Sequence, residues 1–284
     1  MKRVLILGSR GMLGHDLMRV FGDRYDVIGL DKEEVDITQQ QATRDVIRDI
    51  SPDLVINAAG YTEVDGCEKR VQEAFAVNGE GPRNVANGCR DTGAKLVQIS
   101  TDYIFDGEQR RPYREDDLPS PKNIYGESKL LGERYVQRSL EHYLIIRTQW
   151  LYGKHGRNFV ETILALADER DKIEVVNDQL GSPTYTVDLV RAILTLVSNE
   201  MKGTFHASNR GCCSWYHFAL EVLRLAGKEE TEIVPVSSNE LNRPASRPSF
   251  SVLSCEKLKK EAGIEMRTWQ EALWDYFSHR GGVR

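Results

Sequence analysis

The chain has 284 residues, 40% of them apolar and 29% charged, with a formal net charge of −5. That length supports one large domain or two intertwined lobes, and the negative charge argues against a nucleic-acid surface. No apolar run approaches the ~18 residues of a membrane span, and five cysteines, including the adjacent pair Cys212-Cys213, make no disulfide framework. The expectation is a reduced, cytoplasmic protein, with no room for a signal peptide before the strand that follows Met1-Lys2-Arg3.

Val4-Leu5-Ile6-Leu7 is an all-apolar run of the kind that forms a strand covered on both faces. It enters Gly8-Ser9-Arg10-Gly11-Met12-Leu13-Gly14 and then an amphipathic helix to about Phe21. Strand, glycine-rich turn and helix together form the context of a dinucleotide-binding loop, with a pyrophosphate at the helix N-terminus. Asp26 to Leu30 is the second strand. Asp31 follows it at the place where an acidic residue takes a ribose hydroxyl pair. Asp31 favours NADH, whereas Arg10 and Lys32 would neutralise the extra phosphate of NADPH, so both cofactors stay open. Thr38 with Gln41 reads as a capping box for a helix to about Ile50. Leu54 to Ile56 is the third strand, and the small residues Asn57-Ala58-Ala59-Gly60 after it leave room for a flat ligand. A helix is expected from Val71 to Cys89. Within it, Asn78 is either a packing amide or a residue that holds backbone near the active site.

The fourth strand, Lys95 to Ile99, leads into Ser100-Thr101-Asp102-Tyr103, and a helix opens at Tyr125-Gly126-Glu127-Ser128-Lys129. A Tyr and a Lys four apart lie on one helix face, and the loop from Thr101 is long enough to bring its hydroxyl to them. A proton donor, a cation and a second hydroxyl are the parts needed to reduce a ketone. The fifth strand runs from Tyr143 to Arg147.

Beyond it the elements are a helix from Asn158 to about Asp168, a strand from Ile173 to Val176 and a helix from Val187 to about Ser198. A strand over Thr204–Ala207 follows. Ser214 caps a helix to about Ala226, and Trp215 and Phe218 are read as core. Thr268 and Glu271 form a capping box for the last helix. Arg243 and Arg247 sit in a Pro-broken loop, where a guanidinium fork suits a diphosphate. Arg247 is the better candidate for a substrate contact, with a surface ion pair as the alternative. The six histidines show no zinc-ligand spacing. The fold expected is α/β, a Rossmann-type doubly wound parallel sheet with a smaller α/β substrate-binding lobe. Residues 1–150, with 185–207 packing back on them, make the dinucleotide-binding part, and 151–284 mainly the lobe.

Taken together, Gly8/Gly11/Gly14, Asn57-Ala58-Ala59-Gly60 and Tyr125-x-x-x-Lys129 resemble an extended short-chain dehydrogenase/reductase. Ala59-Gly60-Tyr61-Thr62-Glu63-Val64-Asp65, Ser100 to Phe105, Arg147 to Gly153, Asn177 to Thr184 and Arg243 to Pro248 are similar to the dTDP-4-dehydrorhamnose reductase family. The resemblance spans almost the whole chain. It implies Tyr125 as proton donor, Lys129 as its partner and a ribose ligand, and Thr101 as the second hydroxyl. It places Gly11-Met12-Leu13, Asp31, Asp36-Ile37 and Ala59-Gly60-Tyr61 on the cofactor, with Thr101-Asp102 and Trp150 on the deoxysugar nucleotide. The reaction implied is reduction of the C4 keto group of dTDP-4-dehydro-β-L-rhamnose by NADPH or NADH, in precursor synthesis for cell-surface polysaccharide. Two alternatives stand beside it: a reductase or epimerase of another nucleotide-linked keto sugar, and a non-catalytic regulatory subunit of this fold. Related 4,6-dehydratases carry Asp-Glu after the Thr, whereas here Tyr103 follows Asp102, which argues against dehydration. Part of the family bridges protomers through a divalent cation. The matching positions are Asp16, Asp188 and His279, and the His argues against a required metal, leaving a homodimer open.

Overall fold

The computed structural model describes residues 2–280. In the first half, strands β1 (Arg3–Leu7), β2 (Asp26–Leu30), β3 (Leu54–Asn57), β4 (Lys95–Thr101) and β5 (Tyr143–Thr148) alternate with helices. Those helices are α1 (Met12–Gly22), α2 (Gln40–Ile50), the short α3 (Val64–Lys69) and α4 (Val71–Phe75), α5 (Gly81–Thr92) and α6 (Ile124–Ser139). The second half adds strands β6 (Leu151–Tyr152), β7 (Lys172–Val176), β8 (Leu180–Gly181), β9 (Thr184–Tyr185), β10 (Gly203–His206), β11 (Cys213–Ser214) and β12 (Glu232–Val236). Its helices are α7 (Phe159–Glu169), α8 (Thr186–Ser198), α9 (Trp215–Ala226), α10 (Glu256–Ala262) and α11 (Trp269–Arg280).

Six strands form one sheet in the order β10-β5-β4-β3-β1-β2, every pair parallel. Side chains alternate across a strand, and here the alternation divides the core in two. Val4, Ile6, Leu54, Ile56, Val97, Ile99, Leu144 and Ile146 pack with Leu13, Leu17 and Phe21 of α1 and with α8. Leu5, Leu7, Val55, Leu96 and Ile145 face the other way, onto Ile47 of α2, Val85 and Cys89 of α5 and Val136 of α6. Apolar residues on both faces are why these strands read as unbroken apolar runs, and the result is a doubly wound α/β sheet. Residues of α8 and β10 thus join the sheet of the first half. A separate core of Val160, Ile163, Ile173, Val175, Phe218, Trp269 and Tyr276 holds α7, α9, α11 and the parallel pair β7-β12.

Two local expectations meet the structure differently. Thr38 does not cap α2: the N-cap is Gln39 without a side-chain bond, and Thr38 instead donates to Asp36 through its amide and its hydroxyl. The helix expected from Val71 is interrupted by a π turn, Ala76–Glu80, before α5 begins. The capping pair Thr268 and Glu271 forms as expected, and Ser214 Oγ accepts from the His217 amide.

Gly14 is where α1 meets the turn after β1: a Cβ there would lie 2.1 Å from the Gly8 carbonyl oxygen. Gly14→Ala is therefore expected to destabilise the protein by about 1–3 kcal/mol through overpacking. Gly22→Ala, on the same helix with nothing within 4 Å, should be neutral or stabilising by up to about 1 kcal/mol. Urea-unfolding midpoints check the pair, and equal midpoints would contradict the assigned contact.

Candidate active site

The chain leaves β1 toward β2 and returns on β1's other side as β3, so the connections diverge at the carboxyl ends of β1 and β3 and leave a crevice. Gly8, Gly11, Ala58, Ala59 and Gly60 line both of two adjoining clefts, of about 390 and 490 Å³. Gly8 has φ +77°, and a Cβ on it would lie 2.7 Å from the Ala59 nitrogen, so the two loops approach as only glycine allows. The first turn of α1 has neither an acidic residue nor a side-chain cap, which leaves amide groups and the positive end of the helix for an anion. The smaller cleft runs to Asp31, Lys32, Asp36 and Ile37. The Asp31 carboxylate accepts from the amides of Arg10 (3.0 Å) and Lys32 (2.8 Å), while the Arg10 guanidinium is taken by Glu33 and Glu34.

The larger cleft brings together Met12, Leu13, Gly14, Thr101, Asp102, Tyr125, Lys129 and Trp150. Asn123 caps α6, its Oδ1 accepting from the Gly126 amide at 2.8 Å, and the first turn of α6 packs on the Tyr103 carbonyl. That contact sets Tyr125 beside the end of β4, with its ring edge-on to Tyr103 at 5.6 Å. Burial pushes the Tyr125 phenol above its ordinary range, and the Thr101 hydroxyl opposes the shift. At neutral pH the phenol is therefore a proton donor. Lys129 is buried and donates to the Ile99 carbonyl at 2.7 Å. Burial lowers its pKa to about 8, against the pull of Glu133, so the ammonium persists at pH 7. Asp102 is pushed up to about 6 by burial, opposed by hydrogen bonds that include one from Thr101 Oγ1 at 3.0 Å. Its Oδ2, with Ser100 Oγ and Thr148 Oγ1, is buried without a partner among the described residues. All three residues line this cleft, where a ligand would satisfy such groups.

Asn78, in the π turn, holds the loop after β3 against α6. Its Oδ1 accepts from the Tyr61 amide (2.8 Å), and its Nδ2 donates to the Tyr61 carbonyl (2.9 Å) and to Ser128 Oγ (3.1 Å). Of the two readings of this amide, the backbone-holding one matches these contacts.

Two sequence candidates lie elsewhere. Tyr61 lines neither cleft, because its phenol turns to Arg70. The Arg247 fork is engaged on Asp65 at 3.0 and 2.8 Å instead of standing free for a diphosphate. Burial works against ionisation of Asp65, but Arg247 and the Ala245 amide more than offset it and hold the carboxyl low. Trp215, read as core, is only half-buried and lines the larger cleft, stacked on Trp150 at 3.5 Å. Trp150 itself has φ +46°, a strained backbone of the kind kept at functional sites. Gln149 and Arg157, which spacing did not single out, line the same cleft. The positions matched to a bridging cation hold protein partners: Asp16 accepts from Thr186, Asp188 from Arg267 and Asn209, and His279 meets Asp275.

The sequence profile of the family described as RmlD substrate binding domain matches residues 1–280. The chain is 44% identical, over 100% of its length and 99% of the relative's, to the spore coat polysaccharide biosynthesis protein SpsK of Bacillus subtilis. It is 41% identical to a dTDP-4-dehydrorhamnose reductase of Streptomyces griseus, over 97% of this chain and 93% of that one. A crystal structure of dTDP-4-dehydrorhamnose reductase from Bacillus anthracis in complex with NADP superposes with a TM-score of 0.96 at 42% identity, covering 98% and 99% of the two chains.

Replacing Asn78 by Ala removes three hydrogen bonds and leaves the Tyr61 amide unpaired. The expected loss of stability is about 1–3 kcal/mol, together with weaker dinucleotide binding, because the loop at Ala59-Gly60 loses its brace. Thermal unfolding and cofactor titration by fluorescence check both. Unchanged cofactor affinity would show that the loop is fixed without Asn78.

Proposed function

The chain belongs to the family of the RmlD substrate binding domain, and we propose that it reduces the C4 keto group of dTDP-4-dehydro-β-L-rhamnose to the alcohol of dTDP-β-L-rhamnose. It is an NAD(P)H-dependent oxidoreductase of the nucleotide-sugar class. The observation that carries the chemistry is the convergence of Thr101, Tyr125 and Lys129 on one cleft with the glycine turn at its other end. A reduced nicotinamide bound in the groove supplies the hydride. Gly8, Gly11, Met12, Leu13 and Gly14 would hold its pyrophosphate, and Asp31, Asp36 and Ile37 would line its adenosine end. The fit rests on the close approach at Gly8 and the uncapped turn of α1.

As hydride reaches C4, charge develops on the ketone oxygen and must be met by donors already in place. Tyr125 gives its phenolic proton to that oxygen, and Thr101 donates a hydrogen bond to it. The Lys129 ammonium stabilises the phenolate left behind, which lowers the barrier to the transfer. Asp102, Ser100 and Thr148 line the same cleft, each with a buried oxygen that lacks a partner among the described residues, and Trp150 offers an apolar face to the deoxysugar. Tyr103 stands where dehydratases carry a second acid, and its buried phenol, raised further by Asp102 beside it, is a poor substitute for a carboxylate. We assign residues 1–150 with α8 and β10 to the cofactor half, and the remainder mainly to the sugar-nucleotide lobe. Five unpaired cysteines suit the reducing cytoplasm, where we place the enzyme.

Tyr125→Phe should leave cofactor affinity within about twofold while lowering kcat by about 100-fold or more. Stopped-flow absorbance of the reduced nicotinamide, with titration of the same variant, measures both. Across a panel of dTDP-, UDP- and GDP-linked 4-keto sugars, oxidation is expected with the dTDP-linked 6-deoxy substrate. Consumption confined to a UDP or GDP substrate would replace the assignment.

A further inference from the structure

Lys129 and Glu133 are four apart on α6, so both lie on the face that also bears Tyr125. Glu133 is 1% exposed, and Arg147 of β5, itself 4% exposed, closes on it through Nε at 3.0 and 3.3 Å and Nη2 at 2.8 Å. Arg147 is held in turn by the Glu115 carbonyl at 3.2 Å and faces His206 Nε2 at 3.4 Å. The His206 ring is neutral, driven down to about 3 by burial and by Arg147. Its Nδ1 lies 3.1 Å from the Tyr113 carbonyl, which puts the proton on Nδ1 and turns the Nε2 lone pair to Arg147. Arg147, next to last in β5, lies on the same strand face as Ile145, the face against which α6 packs.

Removing an ion pair from water without another use for it is no gain in stability, since apolar groups of the same volume do as well or better. This pair sits one helical turn from a buried ammonium whose only hydrogen bond among the described residues is to the Ile99 carbonyl. We propose that Glu133, clamped by Arg147, is a positioning residue for the reduction: its carboxylate keeps Lys129 charged and seated against β4 beneath Tyr125. The inference rests on the role given to Lys129 above.

The charged and titratable groups around Lys129 are few. Its own helix carries Tyr125 and Glu133, and the turn after β4 carries Asp102 and Tyr103. Arg147 comes from β5, His206 from β10, Glu115 from the loop that packs on them, and Glu68 of α3 binds the Ile124 amide at the start of α6. Of these, only Glu133 supports the ammonium against burial. Asp102, although ionised at pH 8, is not among the groups that act on the Lys129 charge.

The sign follows from the direction of each charge. Lys129 is cationic below its pKa, so turnover should fall as pH rises through about 8. Glu133→Gln removes the supporting anion and strands the Arg147 cation, and both changes disfavour the ammonium. The basic limb of kcat/KM should therefore move to lower pH by about one unit or more. Glu133→Asp keeps the charge and should restore the limb to near the wild-type position. The double variant Glu133→Gln/Arg147→Met removes anion and cation together, keeps the packing, and should place its limb between those of Glu133→Gln and the wild type.

The experiment is a pH–rate profile of the full-length enzyme at saturating cofactor, with thermal unfolding of every variant. A cooperatively folded Glu133→Gln enzyme with the wild-type limb would overturn the proposal. Should that variant not fold, a folded double variant whose limb coincides with the wild type would do the same. Lys129→Arg separates this inference from its premise, because the arginine charge persists beyond pH 12 and should abolish the limb. A limb that survives Lys129→Arg removes the assignment of Lys129 itself, whereas a limb lost there but unmoved in the Glu133 variants refutes only the role of Glu133.

Discussion

A cation set into the carboxyl end of a parallel sheet is the constraint on which this site is built. The Lys129 ammonium has left water for a carbonyl of β4, and burial works against its charge. To keep it charged the fold must hold α6 at a fixed depth and rotation against β4 and β5. Asn123 fixes the start of the helix, Ser128 ties its first turn to Asn78, and Glu133 ties its next turns to Arg147. Each of these polar groups is buried and paired, and a buried polar group with its partners in place has one geometry. The apolar core sets where the helix lies, and the polar contacts set how it is turned.

The topology explains why the residues meet at all. In a parallel sheet every strand ends on the same edge, so the turn after β1, the loop after β3 and the end of β4 are neighbours although their sequence separations are large. The crevice at the order reversal between β1 and β3 receives the glycine turn from one side and Ala59-Gly60 from the other. A long ligand can then run from Asp31 past the α1 N-terminus to Tyr125, with Arg10 and Met12 the large side chains of the glycine turn along the way.

Much of this was legible in the chain because it depends on local pattern. Val4 to Leu7 followed by Gly8, Gly11 and Gly14 fixes a strand, a turn and a helix start within a few residues, and Tyr125 with Lys129 fixes a helix face. What was not legible depends on which partner a side chain takes. Thr38 looked like a helix cap, yet Asp36, two residues earlier, offers its hydroxyl and amide a better acceptor. The Arg247 fork suits a diphosphate or an ion pair equally in sequence; Asp65, from α3, occupies it. Tyr61 is diverted by Arg70 in the same way, and the π turn at Ala76–Glu80 interrupts a helix whose residues give no warning of a break. Trp215 has the spacing of a core residue, and only the stack on Trp150 shows that it belongs to the cleft.

The Asp65–Arg247 pair ties the second half of the chain to the first. Asp65 opens α3, directly after the loop that lines the cofactor groove, whereas Arg247 and Ala245 belong to the loop before α10. Asn123, the cap of the catalytic helix, reaches the same loop through the Ser246 carbonyl at 2.7 Å. Two contacts from the first half of the chain thus hold one short Pro-flanked segment, and one of them is made by the residue that caps α6. An exposed ion pair contributes little, but this guanidinium is mostly buried and bound by two parallel hydrogen bonds, the strong form of the interaction. Its effect is to fix the C-terminal loop against α3, and through Asn123 the same loop is tied to the start of the helix that carries Tyr125.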